Sequence, residues 1–231
     1  MRYLCRLNLA NLFQVNRNKK SIGLSFQHKS GVEILHKLAK ECDVLVENYL
    51  PGGLKKYNMD YDTLHKINPK LIYASITGYG QTGPYSNRAG YDVMVEAEMG
   101  MLHITGDRGG NPVKVGVAVT DLTTGLYTSN AIMASLLARA RTGKGQHIDA
   151  CLSDCQVATL SNIASSALIS GQKDTGRWGT AHRKCRILRM NKLPVNALQH
   201  PLYHTEATRP ATEIYCSEVE MIGYLACYAT N

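Results

Sequence analysis

Acidic residues are missing from the start of this chain: the first is Glu33, preceded by Arg2, Arg6, Arg17, Lys19 and Lys20. The whole chain has 26 Lys and Arg against 18 Asp and Glu, a formal net charge of +8. An excess of that sign raises the local concentration of phosphates. Nucleic acid is the bland expectation and a phosphorylated cofactor the sharper one. No zinc finger, RNA-recognition signature or recognition helix supports nucleic acid, so no nucleic-acid partner is expected. Long hydrophobic runs are missing too. Charge or Gly breaks each apolar stretch well short of the ~20 residues of a membrane span, so no membrane partner is expected. A disulfide framework is also excluded, because the cysteine count of seven is odd and no secretory signal precedes them. Cys151 and Cys155 are four apart, but no second ligand pair follows at zinc spacing. They read as small buried hydrophobes, and no metal site is expected.

What remains is an ordinary globular composition, 44% hydrophobic and 19% charged over 231 residues, enough for one substantial domain. The basic start resembles an organellar presequence, yet it runs directly into residues 21–26, which alternate like a strand. Ser30 and Glu33 form an S-x-x-E capping box ahead of Val32, Leu35, Leu38 and Ala39, the spacing of a buried helix face. Val44-Leu45-Val46 reads as a buried parallel strand. Pro51-Gly52-Gly53 then breaks the chain before a helix carrying Tyr61, Leu64 and Ile67, and residues 71–76 read as the next strand. This order predicts an α/β fold with a mostly parallel sheet.

Further on, helices are predicted over 91–98, 120–141 and 153–170, with a strand over 146–151. The long helix is expected to bury Leu122, Leu126, Ile132, Met133, Leu136 and Leu137. After His182 the periodicity fades and Pro194, Pro201 and Pro210 recur, so residues 183–231 are expected to be a poorly structured tail.

Two features could carry chemistry. Gly78, Gly80 and Gly83 match G-x-G-x-x-G after a strand, but a dinucleotide site needs the third Gly inside a helix. Here Pro84-Tyr85-Ser86-Asn87 follows, a turn-like run. Asp121 lies near the predicted start of the long helix, where backbone N–H groups stabilise an anion. It reads either as an ordinary helix cap or as a carboxylate that attacks an acyl carbon. Nothing in the spacing places Asp149 or Asp154 beside it, and His28, His36, His65, His103 and His147 are scattered.

Taken in order, the motifs resemble one family. Asn16-Arg17-Asn18-Lys19-Lys20-Ser21-Ile22 resembles the N-R-N-K-K/R-S-I segment of the class III CoA-transferases. Val46-Glu47-Asn48-Tyr49-Leu50-Pro51-Gly52 resembles their V-E-N-F/Y-x-P-G turn, and residues 75–85 their S-x-x-G-F/Y-G-x-x-G-P segment. Arg88-Ala89-Gly90-Tyr91-Asp92, Gly116 to Asp121 with Gly125, and residues 141–146 follow in the family's order. The likeness covers about residues 15–182, the partial CoA-transferase domain, with 183–231 a divergent tail. Met101 to Gly106 and Arg177 to His182 are similar to the branch acting on succinyl-CoA and glutarate or hydroxymethylglutarate.

The resemblance implies a Rossmann-like large domain, incomplete at both ends. It implies CoA transfer from a dicarboxylyl-CoA to a dicarboxylate through an aspartyl-CoA thioester, with Asp121 the nucleophile. CoA enters as a thioester substrate, and no tightly bound cofactor is implied. Asn48 and Tyr49 are carried over as contacts along CoA, with Tyr91 beside them. Lys56 stands where a basic residue meets the nucleotide phosphates, and Arg17 and Lys20 fall near the adenosine end. The related 2-methylacyl-CoA racemases have a His at the place of Tyr91, which disfavours racemisation here. Family members interlock as homodimers through a second domain. The resemblance stops at His182, so this chain is expected not to interlock, and a catalytically silent form that at most binds CoA or a full-length partner is the alternative. A mitochondrial location follows from the branch likeness.

Overall fold

A computed structural model describes residues 15–171 and 176–180. The described residues as far as Gly179 belong to one compact unit. The expectations for 183–231 and for a boundary at 182 lie outside the described residues.

Three strands, β1 (Val44–Glu47), β2 (Ile72–Thr77) and β3 (His147–Cys151), form one sheet in the order β1-β2-β3. Both pairings are parallel, with Val44 opposite Ile72 and Tyr73 opposite His147. The parallel α/β fold expected from the sequence is what the chain adopts. Parallel neighbours need long connections, and helices supply them: α1 (Lys29–Glu41) precedes β1, and α2 (Tyr61–Ile67) links β1 to β2. Between β2 and β3 lie α3 (Asp92–Glu98), α4 (Met101–Ile104) and the long α5 (Val119–Thr142); α6 (Leu152–Thr159) and α7 (Ser161–Ser170) follow β3.

Two apolar layers flank the sheet. Ala39, Leu54, Met59, Leu64, Leu71 and Tyr73 form a cluster joining α1, α2 and the sheet. On the other cluster, Ile72, Ala74, Ile148 and Ala150 pack against Ala131, Ile132 and Leu136 of α5. Leu64 is fully buried at the centre of α2, a helix of only seven residues. Leu64→Ala should therefore destabilise the chain by about 2–5 kcal/mol through lost transfer energy and a residual cavity, read as a lower urea midpoint.

Several local expectations are corrected. Residues 21–26 are irregular, not a strand. α1 begins at Lys29 with His28 as N-cap and no side-chain cap bond, so the Ser30 capping box does not form. Glu33 instead lies 3.9 Å from Lys29. The helix predicted over 153–170 is split at Leu160 into α6 and α7.

The largest correction concerns α5. Its buried residues are Thr120, Thr124, Thr128 and Ser135, not a leucine face. The hydroxyls of Thr124, Thr128 and Ser135 each donate to the carbonyl four residues earlier at 2.7 Å, which satisfies them internally and lets short polar side chains sit in a dry seam. Ile132 and Leu136 do pack on the sheet. Leu122, Leu126, Met133 and Leu137 are exposed at 59%, 66%, 54% and 72%.

Candidate active site

The carboxyl ends of parallel strands are where open α/β sheets collect ligands, because the connecting loops diverge there. In this chain a cavity of about 510 Å³ opens beyond those ends. Asn48, Tyr49 and Leu50 reach it from the end of β1, Gly78 from the end of β2, and Leu152 from the end of β3. Residues 88–92 and the first two turns of α5, with Asp121 and Gly125, complete the wall.

Two glycines bring these pieces together. A Cβ on Gly78 would lie 2.6 Å from the Gly90 Cα, and one on Gly90 would lie 2.5 Å from the Gly78 Cα. No side chain fits between them, so the exit of β2 touches the segment before α3 backbone to backbone. Tyr91 and Asp92 are thereby held over the strand end.

Asp121 occupies the first turn of α5, whose N-cap, Ala118, has no side chain able to accept a hydrogen bond. Helix starts leave backbone donors without partners. Asp92, on another helix, supplies one: the Asp121 backbone N–H donates to Asp92 Oδ1 at 3.0 Å. Two carboxylates are thus set side by side. Asp121 is exposed overall, yet burial of its carboxyl against the cavity wall raises its pKa, and the Asp92 charge raises it further. Access to solvent keeps that push limited.

The loop at the far side of the cavity is clamped. The Tyr79 hydroxyl donates to Glu98 Oε2 at 2.6 Å and Arg88 donates to Glu98 Oε1 at 2.6 Å. The Arg88 guanidinium also sits 5.0 Å from the centroid of the Tyr79 ring and 4.8 Å from that of Tyr85. The Tyr79 hydrogen bond first, and then Arg88, holds the Glu98 pKa below the ordinary carboxylate range. That contribution is present above the unfolded carboxylate pKa and is lost as the pH falls through the depressed folded value.

The structure brings together Asp121, Asn48, Tyr49 and Tyr91 in the cavity lining. Arg17, Lys20 and Lys56 are exposed and do not line it. Lys56 stands on a 3₁₀ turn, Lys55–Tyr57, with its Nζ 4.8 Å from the centroid of the Tyr57 ring. Asp149 is not beside Asp121; it accepts from the Gln81 backbone N–H at 2.8 Å. His147 pairs with Ser75 at 2.9 Å and stacks on Tyr61. Gly80 and Gly83 take left-handed backbone angles of +88° and +95° in a turning loop, and the next helix starts only at Asp92. The loop therefore lacks the helix that a dinucleotide pyrophosphate requires. Among the described residues no group of three or more His, Cys, Asp or Glu could hold a metal ion. No described helix is long and apolar enough to cross a membrane.

Sequence reasoning overlooked Asp92 as the partner of Asp121. Its only signal is an acid at a helix start, which reads as a routine first-turn charge.

The family model for CoA-transferase family III matches residues 7–192. This chain belongs to CoA-transferase family III. It is 56% identical over 168 residues to succinyl-CoA:glutarate CoA-transferase of Mus musculus, covering 73% of this chain and 38% of that one. Succinate–glutarate CoA-transferase of Agrobacterium fabrum is 46% identical over 176 residues, covering 76% and 44%. Among solved structures, a CaiB/BaiF family protein from Brucella suis superposes with a TM-score of 0.70 at 50% identity, covering 72% of this chain and 44% of that one. The family III chain thus spans less than half the length of these relatives, and its Rossmann-like sheet shares their fold.

Proposed function

We propose that this chain is part of a CoA-transferase that moves CoA from a dicarboxylyl-CoA, such as succinyl-CoA, to a dicarboxylate, such as glutarate, with Asp121 as nucleophile. The observation that carries the reading is the placement of Asp121: its carboxyl faces the cavity at the strand ends while its backbone is tied to Asp92. The names of its relatives supply the substrate class.

Each step balances without a net proton. An Asp121 oxygen attacks the thioester carbon, and the C–S bond breaks to give a mixed anhydride and CoA thiolate. The thiolate attacks the Asp121 acyl carbon, which leaves Asp121 as a CoA thioester and frees succinate. Glutarate then attacks that thioester, and the thiolate recaptures the glutaryl group from the new anhydride. In this reading Asn48, Tyr49 and Tyr91, which line the cavity, contact the CoA arm, and the family resemblance assigns Lys56, Arg17 and Lys20, which lie outside the lining, to its phosphates and adenosine end. No general base is needed. Tyr91 stands at the place of the racemase histidine, so the acid–base pair that racemisation requires is incomplete.

One observation favours a second outcome for the intermediate. Asp121 is exposed, so water can reach a thioester formed there, and transfer depends on keeping it out. The chain should therefore release free CoA from succinyl-CoA in the absence of glutarate, in excess over stable adduct, as measured by thiol titration against intact mass. The test of the main reading is intact-mass analysis after incubation with succinyl-CoA. A CoA-sized increment that glutarate discharges supports it. A folded chain with neither increment nor thiol release would leave only CoA binding or contact with a full-length partner.

A further inference from the structure

Glu96, in the middle of α3, is 1% exposed, and by hydrogen-bond geometry neither of its side-chain oxygens has a partner. The Val115 backbone N–H and the Asp92 carboxyl act on it at close range without meeting that geometry. An ionised carboxylate in such a place is costly, because nothing replaces the water it has lost. Glu96 stands four residues after Asp92, and residues at that spacing share a helix face. Asp92 in turn accepts from the Asp121 backbone N–H. A line of carboxyl groups therefore runs from the interior of α3 to the mouth of the cavity.

We propose that Glu96 is a positioning residue for Asp121: it stays a neutral carboxylic acid, donates its O–H to Asp92, and holds Asp92 as the anion that fixes the Asp121 backbone. This rests on the reading of Asp121 as the nucleophile. The donated O–H gives Asp92 a charge-assisted hydrogen bond on its inner side, while the Asp121 N–H meets its outer side. If Glu96 ionised, three negative charges would crowd together, on Glu96, Asp92 and Asp121. Asp92 would be driven off the Asp121 amide, and Asp121 would hold its own proton more tightly.

The charges around Glu96 agree with a neutral acid. Burial raises its pKa most and the Asp92 charge next, while the Val115 N–H and the Lys114 charge oppose them. The elements packed against α3 contribute His103 from α4, Asp121 from the start of α5, and Asp154 and Cys155 from α6. Among the described residues the Lys114 charge opposes these effects on Glu96, and more weakly than burial or Asp92 promote them. The sign for stability follows. The neutral form is the favoured one, so the folded chain loses stability as the pH rises above the unfolded glutamate value of about 4.3.

The experiment is a ¹³C titration of the intact chain with carboxyl-labelled Asp and Glu, beside Glu96→Gln and Glu96→Leu. The expected result is a Glu96 carboxyl that titrates above the ordinary glutamate value of about 4.3. Asp121 should then show a second inflection at the pH where Glu96 loses its proton. Glu96→Gln, whose amide can still donate to Asp92, should remove that second inflection and leave the acid one. Formation of the aspartyl-CoA adduct should slow roughly tenfold on the alkaline side in the wild type and stay flat in Glu96→Gln. Glu96→Leu should slow it roughly tenfold at neutral pH as well, so that the glutamine variant rescues what the leucine variant loses. A merely structural Glu96 would shift melting temperature in both variants without moving the Asp121 titration. Titration of Glu96 in the ordinary carboxylate range, or a second Asp121 inflection that survives in Glu96→Gln, would overturn the proposal. If Glu96→Gln does not fold, the wild-type titration alone decides. Absence of adduct in every form would sink the nucleophile reading, and the titration would still judge Glu96.

Discussion

Asp121→Ala should carry no CoA adduct at any concentration of succinyl-CoA, a loss on the order of 10⁴-fold or more in thioester formation. The reason is chemical rather than structural. Among the described lining residues the other carboxylate is Asp92, which is committed to the Asp121 amide through the backbone, and the substitution leaves that bond in place. Stability should change little, within about 0.5 kcal/mol, since the removed group is exposed. Asp121→Asn should lose the adduct equally, as it keeps the shape and lacks the nucleophilic oxygen. Asp121→Glu keeps the charge but displaces it by a methylene, and a misplacement of about 1 Å costs roughly 10²-fold. The pH dependence adds a sign. Burial and the Asp92 charge both raise the Asp121 pKa, so adduct formation should rise with pH through a value above that of an ordinary aspartate. Asp92→Asn removes the second cause and should move that limb to lower pH. A limb that stays in place, or an adduct on Asp121→Ala, would show that another group reacts.

Gly78→Ala should be the most damaging small substitution at the site. The new Cβ would stand 2.6 Å from the Gly90 Cα and 2.7 Å from the Gly90 N, both backbone atoms that cannot swing aside. The exit of β2 and the segment leading to α3 must then part. We expect a loss of about 3 kcal/mol in unfolding free energy, the upper end of the usual ~1–3 kcal/mol cost of overpacking, because the site cannot relax. The movement would also pull Tyr91 and Asp92 from the strand end, so the surviving folded fraction should form adduct about 10²-fold more slowly. Gly116→Ala is the matched control, because a Cβ there meets nothing within 4 Å. It should leave both the urea midpoint and the adduct rate nearly unchanged. Equal behaviour of the two variants would mean that the close approach of Gly78 and Gly90 does not hold the site together.

Much of the fold was legible because short apolar runs between turn residues specify buried parallel strands. Val44-Leu45-Val46 lies in β1 as expected, and the strand expected over 71–76 lies one residue later at 72–77; but β1 stands at the edge of the sheet and is not buried, with Val46 52% exposed. The failures are physical. Residues 21–26 alternate correctly for a strand, but pairing, not alternation, makes one, and no described strand lies beside them. The face of α5 was misread because hydrophobic spacing carries no information about hydroxyls that bond to their own helix; Thr124 and Thr128 are satisfied internally and can therefore be buried. Motif order singled out Asp121, Asn48, Tyr49 and Tyr91, which the fold gathers in the cavity lining, and also Arg17, Lys20 and Lys56, which it does not. The contact of Asp92 with the Asp121 amide spans 29 residues and leaves no trace in local pattern. The burial of Glu96, likewise, is set by packing between elements distant in sequence.

The outer side of α5 has a bearing on how this chain behaves in bulk solution. Leu122, Leu126, Met133 and Leu137 present an apolar strip along a helix of 24 residues, while the net charge of +8 makes copies repel one another. The two effects have different ranges. Repulsion reaches across the gap between molecules only while counterions are few, with a screening distance of ~30 Å at 0.01 M salt and ~8 Å at 0.15 M. The pull between strips acts at contact and is indifferent to added sodium chloride at these levels. Colloidal stability should accordingly be best in dilute buffer and poorest near physiological ionic strength, the reverse of a protein that is salted in.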